Sequence, residues 1–276
     1  MPPALPPALP PALPPPMPPA SSPALPDDDS EPRQLLDTFR EVASAVGQAL
    51  AGLDDWGLAG TKPGQYRSDL IADQLAVDLL GRAGLGVLSE ESGLHHPDRP
   101  ILVALDPVDG STNASRHLPW WATSLCALDR HGPLAAVVVN QATGTTFEAI
   151  RGGGAWRDGV AIAPSTATRL GDSLVGLSGL PDHYLGWRQF RALGAAALDL
   201  CEVACGGLDG YIDCSVDAHG PWDYLGGMLV CLEAGALVVD AHGRELVMRG
   251  HADRRTPVAG ATAALRDELV AARTSD

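Results

Sequence analysis

The feature that most constrains this chain is the apolar run Ile101-Leu102-Val103-Ala104-Leu105, which passes directly into Asp106-Pro107-Val108-Asp109-Gly110-Ser111-Thr112-Asn113. Five consecutive apolar residues have the length and texture of a strand covered on both faces. Pro107 cannot donate to a ladder, so the strand is expected to end near Asp106. Ser111, Thr112 and Asn113 are good helix caps. The N–H groups of a following turn or short helix would then face whatever lies beside Gly110, a ready site for an anion.

Asp106 and Asp109 stand three residues apart across the proline turn, so both carboxylates and the Val108 carbonyl can converge on one small volume. Two carboxylates that close repel unless a cation shares the site. Hard, oxygen-only ligation suits Mg²⁺, which takes one or two carboxylates plus substrate phosphate oxygens. A surface turn capping a helix can also read Asp-x-x-Asp-Gly. The buried strand before it and the hydroxyls after it make the longer motif far more specific.

With 276 residues, 45% of them hydrophobic, the chain can bury a sizeable core. Its formal charge is −15, and setting aside Asp27, Asp28, Asp29 and Glu31 leaves −11 on the rest. A surface this acidic argues against nucleic acid or an anionic membrane as a partner. It does not oppose a phosphorylated small molecule, because bound divalent cations invert the local electrostatics. The cysteines, Cys126, Cys201, Cys205, Cys214 and Cys231, are odd in number and form no C-x-x-C pair, which predicts reduced thiols in a cytoplasmic protein. Cys201 and Cys205 would share a helix face, but without a nearby histidine they do not make a zinc site.

Residues 1–31 repeat Pro-Pro-Ala-Leu and end in acids, a composition expected to be disordered or polyproline-like, so the folded domain is expected over 32–276. No positive n-region precedes an unbroken apolar stretch, so no signal peptide is expected, and no run reaches the ~20 apolar residues that span a bilayer. Leu35, Leu36, Phe39, Val42, Ala43, Val46 and Leu50 predict an amphipathic helix over about 32–52. A second helix is expected over 68–81, with Ser68 as cap, Leu70, Ile71, Leu75, Val77 and Leu79 in its pattern, and Asp73 after Ala72.

Gly84 to Leu88 is another short apolar strand that delivers carboxylates, Glu90 and Glu91, to its end. Runs at 121–128, 134–140 and 145–150, separated by turns, predict an antiparallel meander. Gly152 to Gly154 lacks the Gly-Lys-Ser/Thr of a phosphate loop and is expected to be a hairpin turn. Further on, the pattern predicts a strand at 174–177, a short helix at 183–190, and strand, turn, helix and strand over 191–211. Pro221-Trp222-Asp223 opens a small-residue helix closed by Gly235, with Asp223 placed to cap it. Strands at 236–240 and 258–261 and a terminal helix at 263–272 complete a layered α/β (α+β) chain.

The octapeptide Asp106 to Asn113 resembles the inositol monophosphatase signature D-P-[ILV]-D-G-[ST]-[ST]-N at every position. Ser89-Glu90-Glu91-Ser92 resembles that family's G-E-E-S, Arg191 to Ala197 its R-x-x-G-[ST]-A-A, and Pro221-Trp222-Asp223 its P-W-D. The resemblance implies a layered αβαβα sandwich of the inositol monophosphatase and fructose-1,6-bisphosphatase type that forms a homodimer. It implies a Mg²⁺-dependent phosphatase with two or three ions. Glu90, Asp106 and the Val108 carbonyl would hold the first, Asp106, Asp109 and Asp223 the second, and Glu90 with Asp73 a weaker third. Ser111, oriented by Asp73, would help deprotonate the attacking water, and the Gly110 and Ser111 N–H groups would hold phosphate oxygens. Asp109, Ala196 and Asp213 would lie near the substrate hydroxyls.

The implied substrate is a small phosphate ester, with myo-inositol 1-phosphate foremost and histidinol phosphate, fructose 1,6-bisphosphate or adenosine 3′,5′-bisphosphate as alternatives. Two positions depart from the family pattern and a third keeps it. Ala195 replaces a hydroxyl residue, Leu70 replaces a threonine, and Lys62 keeps the family spacing of eleven residues before Asp73 within an unusual context. A member that keeps the metal site but not the turnover is the competing class. A calcium module is excluded because no D-x-D-x-D-G loop is present.

Overall fold

The computed structural model describes residues 30–275. The Pro/Ala-rich segment, expected to be disordered or polyproline-like, lies outside the described residues up to position 29. Two helices lead: α1 (Glu31–Ala51) and α2 (Arg67–Arg82). An eight-stranded sheet follows, formed by β1 (Gly86–Ser89), β2 (Gly93–His95), β3 (Leu102–Asp109), β4 (Ala122–Asp129), β5 (Gly132–Asn140), β6 (Thr146–Ile150), β7 (Gly154–Arg157) and β8 (Val160–Ala161). A short helix, α3 (Ser111–Ser115), interrupts it after β3.

The second sheet has five strands: β9 (Leu174–Ser178), β10 (Gln189–Arg191), β11 (Gly210–Asp213), β12 (Leu237–Asp240) and β13 (Pro257–Gly260), in the order β10-β9-β11-β13-β12. Helices α4 (Ala196–Ala204) and α5 (Pro221–Ala234) lie between the sheets, and α6 (Ala263–Thr274) covers the far side of the second. With α1 and α2 on the outer face of the first sheet, the layers run αβαβα as the resemblance implied.

The α1 face that turns inward carries the seven residues the periodicity picked out, Leu35, Leu36, Phe39, Val42, Ala43, Val46 and Leu50. Helix α2 behaves differently. Its buried side is Ser68, Asp69, Ala72, Asp73, Ala76 and Leu80, while Leu70 and Ile71 are exposed. Small alanines let α2 approach α1 and the first sheet closely, and the polar residues of the same face meet the carboxyl ends of β1 and β3. Of the apolar residues in the expected pattern, Val77 and Leu79 pack partly buried against the core, while Leu70 and Ile71 face outward.

Strand β3 is buried along its whole length, parallel to β1 and antiparallel to β4. It does not stop at Asp106 but continues to Asp109 through a bulge: Asp106 pairs with Ser124 and Asp109 with Ala122, so the β3 side carries one extra residue. A bulge tolerates Pro107 because no ladder donor is required there, and the Pro107 carbonyl is taken by Thr123 Oγ1 at 3.0 Å. The expected helix over 183–190 is absent. Gly186, at φ +102°, turns the chain, Trp187 is buried, and Gln189–Arg191 joins the sheet edge beside β9.

Between the sheets, α4 and α5 pack closely because of Gly227. A Cβ there would lie 2.6 Å from Leu200 Cβ and 2.8 Å from the Ala197 carbonyl. That approach sets the N-terminus of α4 next to the first turn of α5, where Asp223 sits.

Candidate active site

Strands β1 and β3 are parallel and end side by side, with Ser89 opposite Leu105 and the Glu90 N–H donating to the Leu105 carbonyl at 3.1 Å. Open α/β sheets present ligand sites at such carboxyl ends. The chain delivers Glu90 from β1 and Asp106 from β3, and α5 brings Asp223 to them. Carboxylate oxygens of these residues all lie within 4.8 Å of one another. Among the described ion pairs, His219 is the cationic side chain that meets the cluster, through Asp223 at 3.3 Å.

The aspartates are held by backbone donors. Asp106 Oδ1 accepts the Val108 N–H at 2.9 Å, which folds the bulge back on itself. Asp223 Oδ2 accepts the Gly220 N–H at 2.7 Å, the capping role its position in the first turn foretold. The two oxygens of Asp109 take the Ala196 and Ala197 N–H groups at 3.2 and 2.8 Å, so Asp109 satisfies orphan donors at the N-terminus of α4. Ser111 Oγ donates to the Val108 carbonyl at 3.0 Å, and Asn113 Nδ2 ties this loop to the Trp120 and Leu193 carbonyls at 2.8 and 2.7 Å.

Gly110 adopts φ +89°, and a Cβ there would meet the Gly194 carbonyl at 3.0 Å and the Trp120 carbonyl at 3.1 Å. Only glycine fits this turn without strain.

Burial and mutual repulsion push these carboxyls up. Burial is the main cause for Glu90, aided by Asp223, Glu91 and Asp109, and it is the main cause for Asp106, aided by Glu90, Asp109 and Asp223. Asp109 is raised to about 7 by burial and by Asp223, against the opposing Ala197 and Ala196 N–H groups. Buried carboxylates that repel one another are the donor set a hard cation relieves, so these residues fit Mg²⁺.

Asp73 and Asp69 share the inward face of α2 but meet different neighbours. Asp73 is buried and accepts the Ser89 hydroxyl, which ties α2 to the end of β1, and it does not line the cavity. One turn earlier, Asp69 lines the cavity together with Ser111, Glu90, Glu91 and Asp223. Burial raises its carboxyl to about 6, while the Tyr66 N–H, at 2.8 Å, and the Ser111 and Ser68 hydroxyls hold it back. Residues i and i+4 share a helix face, so spacing alone does not tell the two apart, and the resemblance was carried to Asp73 only.

Ala196 and Asp213 are brought near Asp109 and His219, but neither forms the cavity wall. Asp213 is fully buried, accepts the Ser215 N–H at 2.8 Å and faces His219 Nε2 at 3.7 Å. His219, which the sequence reading passed over, also meets Asp223 Oδ2 through Nδ1 at 3.3 Å and Ser178 Oγ through Nε2 at 3.0 Å. Burial works against its positive charge, yet Asp223, Asp213 and Asp109 raise its pKa to about 9. An alternation of acids and a histidine around a helix start is the signal that was available.

The cavity itself is about 520 Å³. Lys62 lines it, its Nζ donating to the Glu91 carbonyl at 2.6 Å, as do Trp222, His251 and Arg254.

The sequence matches the inositol monophosphatase family over residues 69–275. The chain belongs to this family. It is 31% identical over 192 residues to the fructose-1,6-bisphosphatase of Pyrococcus furiosus, covering 69% of this chain and 75% of that one. It is 33% identical over 202 residues to the Nus factor SuhB of Salmonella typhimurium, covering 66% and 74% respectively. The solved inositol monophosphatase of Anabaena superposes with a TM-score of 0.73 at 28% identity, covering 87% of this chain and 95% of that one. Membership makes a phosphatase centred on the acidic cluster the natural reading of the site.

Proposed function

We propose that this chain is a Mg²⁺-dependent phosphomonoesterase of small phosphorylated alcohols. The observation that carries the reading is the convergence of Glu90, Asp106 and Asp223 within 4.8 Å at the end of two parallel strands. Glu90, Asp106, Asp109, Asp223 and the Val108 carbonyl would hold two ions, and Asp69, in the place assigned to Asp73, would complete a third position with Glu90. Bound there, Mg²⁺ supplies Lewis-acid polarisation of the phosphoryl group and activation of water.

The chain's own groups do the rest. The Ser111 hydroxyl, hydrogen-bonded to Asp69, would accept a proton from the attacking water as it passes its own to the Asp69 carboxylate, and the Gly110 and Ser111 N–H groups hold phosphate oxygens as charge builds on them. Water attacks phosphorus, the bond to the alcohol oxygen breaks, and the alcohol leaves with a proton. The acids are held by backbone donors rather than placed as nucleophiles, which supports direct attack by water without a covalent enzyme intermediate.

The candidate alcohols are inositol, for myo-inositol 1-phosphate, and fructose, for the 1,6-bisphosphate, with histidinol and adenosine 3′,5′-bisphosphate behind them. A regulatory role without turnover is the second reading, favoured by the likeness to a protein named as a Nus factor. We place the enzyme in the cytoplasm as a homodimer, with residues 32–276 as its phosphatase domain and no membrane or nucleic acid as partner. Five free cysteines and a net charge of −15 support this placement, and no helix among the described residues is long and apolar enough to cross a membrane.

The test is phosphate release from the four esters with and without Mg²⁺, with Asp106→Asn as control. Turnover of one ester only with Mg²⁺ and only by the unmodified chain establishes the reaction. Stabilisation by Mg²⁺ without turnover transfers the case to the regulatory reading.

A further inference from the structure

We propose that the mouth of the cavity is a second anion subsite built on Arg254, and that the substrate is a phosphomonoester whose alcohol carries another anionic group. The proposal rests on the phosphatase reading and narrows it from phosphorylated alcohols in general to doubly anionic ones.

Arg254 lies in the connection between β12 and β13 and lines the same cavity as Glu90 and Asp223. Its guanidinium stacks over Trp222, 5.1 Å from the ring centroid. Trp222 immediately precedes Asp223, so the stack is anchored to the element that supplies an acid of the cluster. His251 packs against the same indole at 4.9 Å and meets the Glu90 carbonyl through Nε2 at 2.9 Å. The platform is therefore fixed to both sides of the acidic site.

The guanidinium itself is half satisfied. Nη1 donates to the His251 and Asp253 carbonyls, both at 2.8 Å. Nε and Nη2 have no partner among the described hydrogen bonds, and no carboxylate pairs with Arg254 among the described ion pairs. The nearest acid in sequence, Asp253, is engaged by the Gly250 N–H at 2.9 Å. By contrast Arg40, Arg67, Arg151, Arg157, Arg244 and Arg266 each have a carboxylate partner.

Other described arginines, Arg99, Arg249 and Arg255 among them, also lack a carboxylate partner, but Arg254 is the arginine that lines the cavity of the acidic cluster. The unused Nε/Nη2 edge is the fork that takes a phosphate or carboxylate through two parallel hydrogen bonds. A neutral polyol offers hydroxyls that cannot use both donors and the charge together. The cavity, at about 520 Å³, has room for a ligand well beyond a single phosphate.

The experiment compares kcat/KM in saturating Mg²⁺ for two matched pairs: fructose 1,6-bisphosphate against fructose 1-phosphate, and 3-phosphoglycerate against glycerol 3-phosphate. The first pair reads a second phosphate and the second pair a carboxylate. The unmodified enzyme is expected to favour the doubly anionic member of at least one pair by about tenfold or more, the worth of one charge-assisted contact. Arg254→Ala should bring that ratio close to one, chiefly through KM, and Arg254→Lys should recover part of it.

A ratio near one for both pairs in the unmodified enzyme overturns the proposal, as does a preference that survives Arg254→Ala. If no compound is hydrolysed, the phosphatase reading fails separately. Calorimetric titration of the same four compounds then still decides the subsite: tighter binding of the doubly anionic member, lost in Arg254→Ala, upholds it, and equal binding refutes it.

Discussion

Removing the metal should make the stability of this protein fall as pH rises, and restoring it should reverse most of that loss. Asp109 has a folded pKa of about 7 and Asp69 of about 6 without a cation, against roughly 3.9 for an aspartate in an unfolded chain. A carboxyl raised in the fold binds its proton more tightly there than in the unfolded chain. Its contribution is therefore intact below about pH 4 and is lost as pH climbs through the folded value. Between pH 5 and 8, Asp109 forfeits about two pKa units and Asp69 about one, which together amount to about 4 kcal/mol at ~1.4 kcal/mol per unit.

His219 acts in the same direction. Its pKa of about 9 means that its stabilisation is complete below about pH 6.5 and drains as pH approaches 9. For a domain of this size 1 kcal/mol moves the midpoint by roughly 2–4 °C, so the metal-free protein should melt about 10 °C lower at pH 8 than at pH 5. Saturating Mg²⁺ binds the ionised carboxylates, so the increment it adds should grow over the same range. Thermal unfolding in EDTA and in Mg²⁺, at half-unit steps of pH, measures both. Equal midpoints at pH 5 and 8 in EDTA, or a Mg²⁺ increment that does not grow with pH, would refute the reasoning.

Four substitutions test the site more locally. Asp106→Asn removes a carboxylate charge from the acidic cluster and should lower phosphate release at least about a thousandfold while abolishing stabilisation by Mg²⁺, both read on one preparation. Asp69→Asn should cost about a hundredfold in kcat with little change in folding. Asp73→Asn, which weakens the bond from the Ser89 hydroxyl, should instead cost roughly 1–3 kcal/mol of stability, and the reverse pattern in kcat and urea midpoint would return the catalytic role to Asp73. Gly110→Ala, at φ +89° and 3.0 Å from the Gly194 carbonyl, should destabilise by about 1–3 kcal/mol in a urea titration and weaken phosphate binding by calorimetry.

Much of the site was legible because its acids lie at the ends of apolar runs. A strand has little choice about where its last residue goes, so Glu90, Asp106 and Asp109 could be placed from Leu88, Leu105 and the proline turn. Asp223 was legible for a related reason: proline and an acid in a helix's first turn fix the start of the helix and the direction of the carboxylate. The α1 face followed from its period, since a helix against one sheet buries one stripe.

Tertiary structure decided the rest. The inward side of α2 carries Ser68, Asp69, Ala72 and Asp73 because it meets polar strand ends and a close neighbouring helix, and period alone cannot report what a face will meet. Which of Asp69 and Asp73 reaches Ser111 depends on the depth to which α2 is inserted beside β1, a distance set by packing. The bulge that carries Pro107 needed β4 opposite it. His219, His251 and Arg254 lie 161 residues or fewer from their partners in the chain but come from connections without periodicity, so only the folded sheets bring them to the cavity. The sequence by itself determined the layers and the acids at the strand ends, because local physics governs both. That Arg254 and Asp69 line the cavity was decided by long-range packing, which leaves no local trace.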